Sequence, residues 1–222
     1  MKTYKIILAL VICSLMTIGA FSQISQNNRI SQYSIDFSKS DANNLGKVSG
    51  KQYINESFAS AKISNYDSST LLRYNPYKDE MEFMRGEEIF YLNKHEGIKI
   101  KFVNENKTYI IKSVGGKLMY FVEVFKGEKV SFLIKEKVKY TPETPAANSY
   151  SSAKPATFSR SPDVFYVAFG DGPLVEFPRK KKQVIKLFQS NSIELKGYLK
   201  KNKISFKKEK DVLKMVKDAN KM

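Results

Sequence analysis

A chain of 222 residues with 42% hydrophobic and 27% charged side chains can build one cored domain, and it lies outside the compositions of disordered or multi-span membrane chains. One Cys excludes a disulfide framework and a Cys-based zinc site; one His excludes a His-pair metal site and leaves any His-dependent triad to a single residue. The formal charge of +16, from 38 Lys and Arg against 22 Asp and Glu, directs attention to anionic partners.

Lys2 and Lys5 precede an uncharged, mostly apolar run from Ile6 to Phe21, and Ala20-Phe21-Ser22 puts small residues at minus three and minus one before Gln23. This is the pattern of a secretory signal peptide over residues 1–22, cleaved after Ser22. The run is shorter than the roughly 18 to 20 residues that span a bilayer. Cys13 lies mid-run behind Leu10-Val11-Ile12, without the small residue expected before a lipidated cysteine. Cleavage removes two lysines and leaves a cysteine-free, exported chain of charge +14, periplasmic or secreted. Residues 23–50 are rich in Ser, Asn, Gln and Asp without a sustained period, and are expected to form a flexible leader.

From Lys51 to Pro178 the pattern is that of a β domain. Apolar runs fall at Gln52–Ile63, Thr70–Tyr74, Met81–Met84, Ile89–Leu92, Ile98–Val103, Thr108–Val114, Leu118–Phe125 and Val130–Tyr140. Short turn-like separators, such as Arg85-Gly86, His95-Glu96-Gly97, Gly115-Gly116 and Lys126-Gly127, divide them. Such spacing predicts consecutive antiparallel hairpins in a meander, curved or partly closed. Leu118–Phe125 is apolar at nearly every position and is expected to be central and covered on both faces. Residues 141–162 hold four of the seven prolines and are read as a loop within the domain. Strand signals return at Val164–Phe169 and, after Gly170-Asp171-Gly172, at Leu174–Phe177.

From Arg179 to Met222 the chain carries 15 Lys and Arg against four acidic residues, a net +11 of the total. Apolar residues recur at helical spacing in Val184, Leu187 and Phe188, in Leu195, Tyr198 and Leu199, and in Val212, Leu213 and Val216. Three short helices follow, and none is long enough to persist alone, so their stripes must dock on the sheet or on one another. The predicted architecture is therefore α+β: an antiparallel meander with a C-terminal bundle of short Lys-rich helices.

Arg179, Lys180, Lys181, Lys182 and Lys186 form the candidate anion-binding group, for an anionic envelope polymer or membrane surface; the alternative is a solvated Lys-rich exterior. Nucleic acid is disfavoured because Phe188, Tyr198 and Phe206 fall where a core needs them. Asp79, Glu80, Glu82, Glu87 and Glu88 crowd one stretch, but Glu80 and Glu82 alternate with Met81 and Phe83 as a strand with one wet face would. A weaker idea is that this acidic strand faces the basic tail. His95 lies in a turn with no nucleophile motif beside it. No P-loop, Rossmann glycine pattern, G-x-S-x-G or H-E-x-x-H occurs, so no catalytic residue, metal site or cofactor is assigned.

The segment Leu72-Arg73-Tyr74-Asn75-Pro76-Tyr77-Lys78-Asp79-Glu80-Met81-Glu82-Phe83 resembles one found in uncharacterised secreted proteins of flavobacterial (Bacteroidota) type. The tail from Lys180 to Val216 is similar to the ends of the same proteins. The resemblance implies export from a Gram-negative cell and a shared architecture, and it carries no functional residues across. Within the motif, Tyr74 and Tyr77 are either a surface aromatic pair for ligand contact or packing over the Asn75-Pro76 turn. These readings converge on an exported, non-enzymatic binding or interaction protein. The alternative is a small β-barrel carrying an apolar ligand, which requires an interior cavity of about 300 Å³ or more.

Overall fold

The period-two runs fold into one 12-stranded sheet, and the Lys-rich stripes fold into helices laid against it. The computed structural model describes residues 36–39, 48–66, 68–146, 148, 150 and 152–222. The expected signal peptide over 1–22, its cleavage point and most of the leader lie outside the described residues. The strands are β1 (Phe37–Lys39), β2 (Ser49–Gly50), β3 (Ala59–Ile63), β4 (Ser69–Asn75), β5 (Glu80–Arg85), β6 (Glu88–Leu92), β7 (Lys99–Phe102) and β8 (Lys107–Val114). They continue with β9 (Lys117–Phe125), β10 (Val130–Thr141), β11 (Thr157–Phe169) and β12 (Val175–Glu176). The helices are α1 (Lys181–Gln189), α2 (Lys196–Lys201) and α3 (Glu209–Ala219).

The spatial order is β1-β6-β5-β4-β3-β7-β8-β9-β10-β11-β12, antiparallel throughout, with β2 added in parallel beside β11. The sheet curls into a half-barrel and, with the three helices, is the α+β meander that the spacing predicts. From β3 to β12 it departs from a simple meander where β7 pairs with β3 and not with β6, and the short β1 and β2 are added beside β6 and β11. Two runs of hairpins, β3 to β6 and β7 to β11, therefore lie back to back. Between them the chain returns through Asn93–Ile98, where Gly97 takes φ +85° and donates its N–H to Ile111 at 2.9 Å. The two-residue β8–β9 hairpin uses Gly115-Gly116 with both φ values positive, a conformation whose twist matches that of the flanking strands.

One face of the curl is packed by Leu72, Met81, Leu92, Ile100, Ile111 and Tyr120, all within 1% of full burial. Beside this packing a cleft of about 30 Å³, room for water, runs from Leu72, Tyr74, Phe102 and Tyr109 out to Ile54, Asn55 and Glu105 at the surface. Farther along the same sheet, Val130, Phe132 and Ile134 of β10 and Phe165 and Val167 of β11 meet Val184, Phe188, Leu199, Met215 and Val216 of the helices. Burying each such side chain is worth roughly 1.5–3 kcal/mol relative to leaving it in water, which is why helices this short persist. Phe121 points the other way, into a smaller cluster with Ile110, Leu133 and Tyr166, so β9 is covered on both faces as expected. Asn220, just past α3, ties the helix to the β9–β10 turn: its Oδ1 accepts the N–H groups of Lys129 (3.0 Å) and Val130 (3.2 Å), and its Nδ2 donates to Val130 O (2.8 Å).

Two boundaries differ from the sequence reading. The segment expected to be an unstructured leader contributes β1 beside β6 and β2 beside β11, with Asp36 held by His95 at 2.7 Å and Asn93 at 2.8 Å. Edge strands this short have no period to read, because the neighbouring strand supplies their order. The Pro-rich loop is also shorter than 141–162: β11 begins at Thr157, and Thr144 and Lys154 exchange two backbone hydrogen bonds of 2.9 Å across the remainder. Pro162 lies within β11 at a bulge, where Pro162 and Asp163 together oppose Glu136, so its missing N–H costs the ladder nothing.

Candidate functional site

The helical layer presents a surface of one sign. All 15 basic side chains from Arg179 to Lys221 are exposed, while the stripes between them are buried. Three of the four acids of the layer accept from neutral donors: Glu194 accepts the N–H of Lys196 (2.8 Å), Asp211 that of Ser205 (2.9 Å), and Asp218 the hydroxyl of Tyr198 (2.9 Å), while Glu209 is exposed in the first turn of α3. Burial, and then the Asp218 hydrogen bond, pushes the Tyr198 phenol up to about 12. Among the described residues, the ion pair within this layer is Lys221 with Asp218 at 3.7 Å, both partly in solvent.

The five residues singled out in the sequence do not converge. Arg179 donates to the carbonyl of Asp163 (3.1 Å) and lies over the Phe165 ring, so it anchors the layer to the β11 edge. Lys180 is the N-cap of α1, Lys182 lies in its first turn and Lys186 in its last. Lys181 turns toward α2 and donates to Leu199 O at 2.8 Å. The first turn of α1 fans the successive side chains of the run around the helix axis.

The structure assembles a different group from separate elements. Lys181 of α1, Lys200 of α2, and Lys203 and Lys208 of the α2–α3 connection line one open depression of about 530 Å³. Its floor is Leu199, Ile204 and Phe206. No acidic side chain is present in the first turn of α1, and neither Lys180 nor Lys208 caps its helix with a side-chain hydrogen bond.

The motif tyrosines part company. Tyr74 is 6% exposed, faces the interior against Tyr109 (ring centroids 4.7 Å apart) and donates its hydroxyl to Asp79 at 2.8 Å, so it is not a surface contact. Tyr77 is at the surface and packs edge-on against Phe158 of β11 at 5.2 Å. Of the two readings, surface contact or packing over the turn, Tyr74 takes the packed one inside the curl, while Tyr77, within the β4–β5 turn, packs on Phe158 at the surface.

Within the acidic stretch Glu87 and Glu88 are exposed, but Glu82 and Asp79 turn inward and their described partners are residues of the sheet and its connections, not of the basic tail. Glu82 is 2% exposed, bound by Arg73 through both Nη2 (2.7 Å) and Nε (3.2 Å), and by Asn75 Nδ2 at 2.7 Å. Arg73 is in turn covered by the rings of Tyr53 and Phe58. Asp79 accepts from Lys135, Lys94 (2.8 Å) and the backbone N–H of Tyr120 (3.3 Å). Lys135 donates onward to Tyr74 Oη (3.0 Å) and Tyr120 O (3.1 Å). Burial pushes the Lys135 amine below its ordinary value, with Asp79 opposing. Each of these carboxylates has a cationic partner, and among the described residues no group of three or more His, Cys, Asp or Glu is placed to hold a metal ion.

A third concavity, about 510 Å³, lies on the opposite sheet face over Ile110 and Leu133, walled by Gly170–Leu174. Its rim carries both signs, with Lys99 and Glu123 already paired at 2.7 Å. No family model, no curated protein and no solved structure matches the chain.

Proposed function

We propose that the chain is an exported, non-enzymatic interaction protein that docks on an anionic polymer or membrane surface of the cell envelope through its helical layer. The observation that carries this reading is the segregation of charge. The layer holds +11 of the chain's +16, all of its cations stand in solvent, and three of its four acids accept hydrogen bonds from neutral donors. Lysines serving only solubility need no such one-sidedness, since mixed signs solubilise equally well. Against the rival reading, an apolar carrier, stand the large side chains of Leu72, Met81, Leu92, Ile100, Ile111 and Tyr120 that fill this face of the curl among the described residues.

The test is the salt concentration at which the protein leaves immobilised heparin and vesicles containing anionic lipid. The parent is compared with a layer variant (K182Q/K186Q/K210Q/K214Q) and a sheet control (K62Q/K101Q/K117Q/K139Q). Both remove four exposed charges. Exposed charges are screened over about 8 Å at physiological ionic strength, so only charges near the contact affect elution strongly. The layer variant is expected to elute at clearly lower salt than the control. Equal elution of both variants would reduce the layer to a solvated exterior.

A further inference from the structure

We propose that the depression between α1, α2 and the start of α3 is a binding site for a phosphorylated saccharide. The inference rests on the function proposed above, since it names the group that the helical layer recognises, and it differs from it in being local and saturable.

The site is built from three elements and not from one run of charge. Lys181 is fixed by its hydrogen bond to Leu199 O at 2.8 Å, the last-turn carbonyl end of α2. An ammonium has three donors, so two remain for a ligand. Lys200, Lys203 and Lys208 stand around the same space. Asp211 is the one acid in the lining, and its Oδ2 accepts the Ser205 N–H at 2.9 Å, which bends the α2–α3 connection over the depression. The local charge is thus four cations against one carboxylate, enough to balance a dianionic phosphate with net attraction to spare.

Charge alone would accept any anion, but the floor narrows the choice. Ile204 and Phe206 are half-buried in the lining, an apolar patch beneath a ring of ammonium groups. Bare phosphate would leave this patch wet. A sugar ring offers C–H groups for the patch and hydroxyls for the Ser205 hydroxyl and for the Asn202 amide, whose Nδ2 gives one of its two hydrogens to Tyr198 O (3.1 Å). The volume of about 530 Å³ suits one or two such rings. A flat polyanion lacking apolar faces, or a long acyl chain, matches only one of the two features.

The probes are glucose 6-phosphate, glucose and inorganic phosphate, each titrated into the full chain and followed by amide chemical shifts and calorimetry. Glucose 6-phosphate is expected to saturate and to shift amides from Leu199 to Ser205. Inorganic phosphate is expected to bind at least fivefold more weakly, and glucose not to saturate. A depression variant (K181Q/K200Q/K203Q/K208Q) should weaken glucose 6-phosphate at least tenfold, whereas the layer variant with Lys182, Lys186, Lys210 and Lys214 replaced should change it less than twofold. Because Lys181 also ties α1 to α2, the double variant K200Q/K203Q, which keeps that bond, serves as the second reading, with an expected loss of threefold or more.

Absence of saturation by glucose 6-phosphate, equal binding of inorganic phosphate, or equal losses in the depression and layer variants would overturn the site. The two proposals fail separately. If the layer variant still lowers heparin retention while glucose 6-phosphate does not bind, the site is wrong and the surface reading stands. If heparin retention is indifferent to the layer while glucose 6-phosphate saturates at the depression, the reverse holds.

Discussion

Asp79 and Lys135 meet where the sheet would otherwise leave two backbone groups unpaired. Ile111, opposite Tyr120 in the β8–β9 ladder, turns its own N–H and C=O toward Ile98 and Gly97, so those of Tyr120 face β10. The β9–β10 ladder ends at the pairing of Val122 with Ile134, and beyond it β10 has diverged. Asp79 accepts the Tyr120 N–H and Lys135 donates to the Tyr120 C=O, so the tip of the β4–β5 hairpin replaces the missing strand. The two partners are not equivalent. With Lys135 gone, Asp79 keeps Lys94, the Tyr74 hydroxyl and the Tyr120 N–H; with Asp79 gone, the buried Lys135 keeps only two neutral oxygens. Asp79→Ala is therefore expected to cost about 3–5 kcal/mol, the penalty of an uncompensated buried charge, and Lys135→Met about 1–2 kcal/mol, the scale of lost hydrogen bonds. Urea unfolding midpoints at constant slope measure both, and equal losses would contradict the asymmetry. Little of this was legible in the sequence. Glu82 alternates with Met81 and Phe83 as a solvated residue would, and its burial depends on Tyr53 and Phe58, which fold over its partner Arg73 from a segment outside the hairpin. The register clue was present, since Arg73 and Glu82 lie equally far from the Pro76–Asp79 turn and become direct cross-strand neighbours.

The helices and long strands were legible because each repeats its period several times. Val184, Leu187 and Phe188 mark α1, and Lys99 to Phe102 alternates cleanly in β7. The exchange of β6 for β3 as the partner of β7 was not, because turn chemistry reports that a chain reverses and not which strand receives it. The joints between elements were equally hidden. Asn220 sits past the last periodic residue of α3 and reads as an ordinary helix stop, yet it serves three backbone groups of the β9–β10 turn and the Val216 carbonyl at 2.9 Å. Gly127 leaves room for it, since a Cβ there would lie 2.3 Å from Asn220 Oδ1 and 2.5 Å from Val130 O. Asn220→Ala is expected to cost about 1–3 kcal/mol, since several hydrogen bonds to a part-buried turn are lost together. It should also raise hydrogen exchange selectively in α3 and at Lys129 and Val130. An unchanged midpoint with unchanged exchange in α3 would show that apolar packing alone holds the helix.

At the scale of the molecule, the half-barrel and the helical layer solve one problem between them. A curled sheet with an open side must cover its concave apolar face, and the chain does so at two places by different means. The first part of the curl fills itself with large side chains from β3 to β9 and is closed by the ionic hairpin tip. The second part has no strand left to cover it, and three amphipathic helices supply the lid, apolar inward and cationic outward. The basic surface is thus the outer side of a structural element, and it cannot be removed wholesale without exposing the sheet. Deleting Arg179–Met222 uncovers Val130, Phe132, Ile134, Phe165 and Val167, none more than 6% exposed in the intact chain, as one contiguous patch across β10 and β11. Patches of this kind associate, and the exposed β11 edge between β2 and β12 adds unpaired backbone groups that favour strand addition. The truncated chain is expected to appear in the insoluble fraction or as large soluble aggregates by light scattering, without a cooperative unfolding transition. Replacing four exposed lysines of the layer by Gln should leave the unfolding midpoint within about 0.5 kcal/mol of the parent, since surface substitutions away from packing contacts rarely do more. A truncated sheet that stays monomeric and unfolds cooperatively would mean that the layer is an independent module, whose cations then need no structural reason to be where they are.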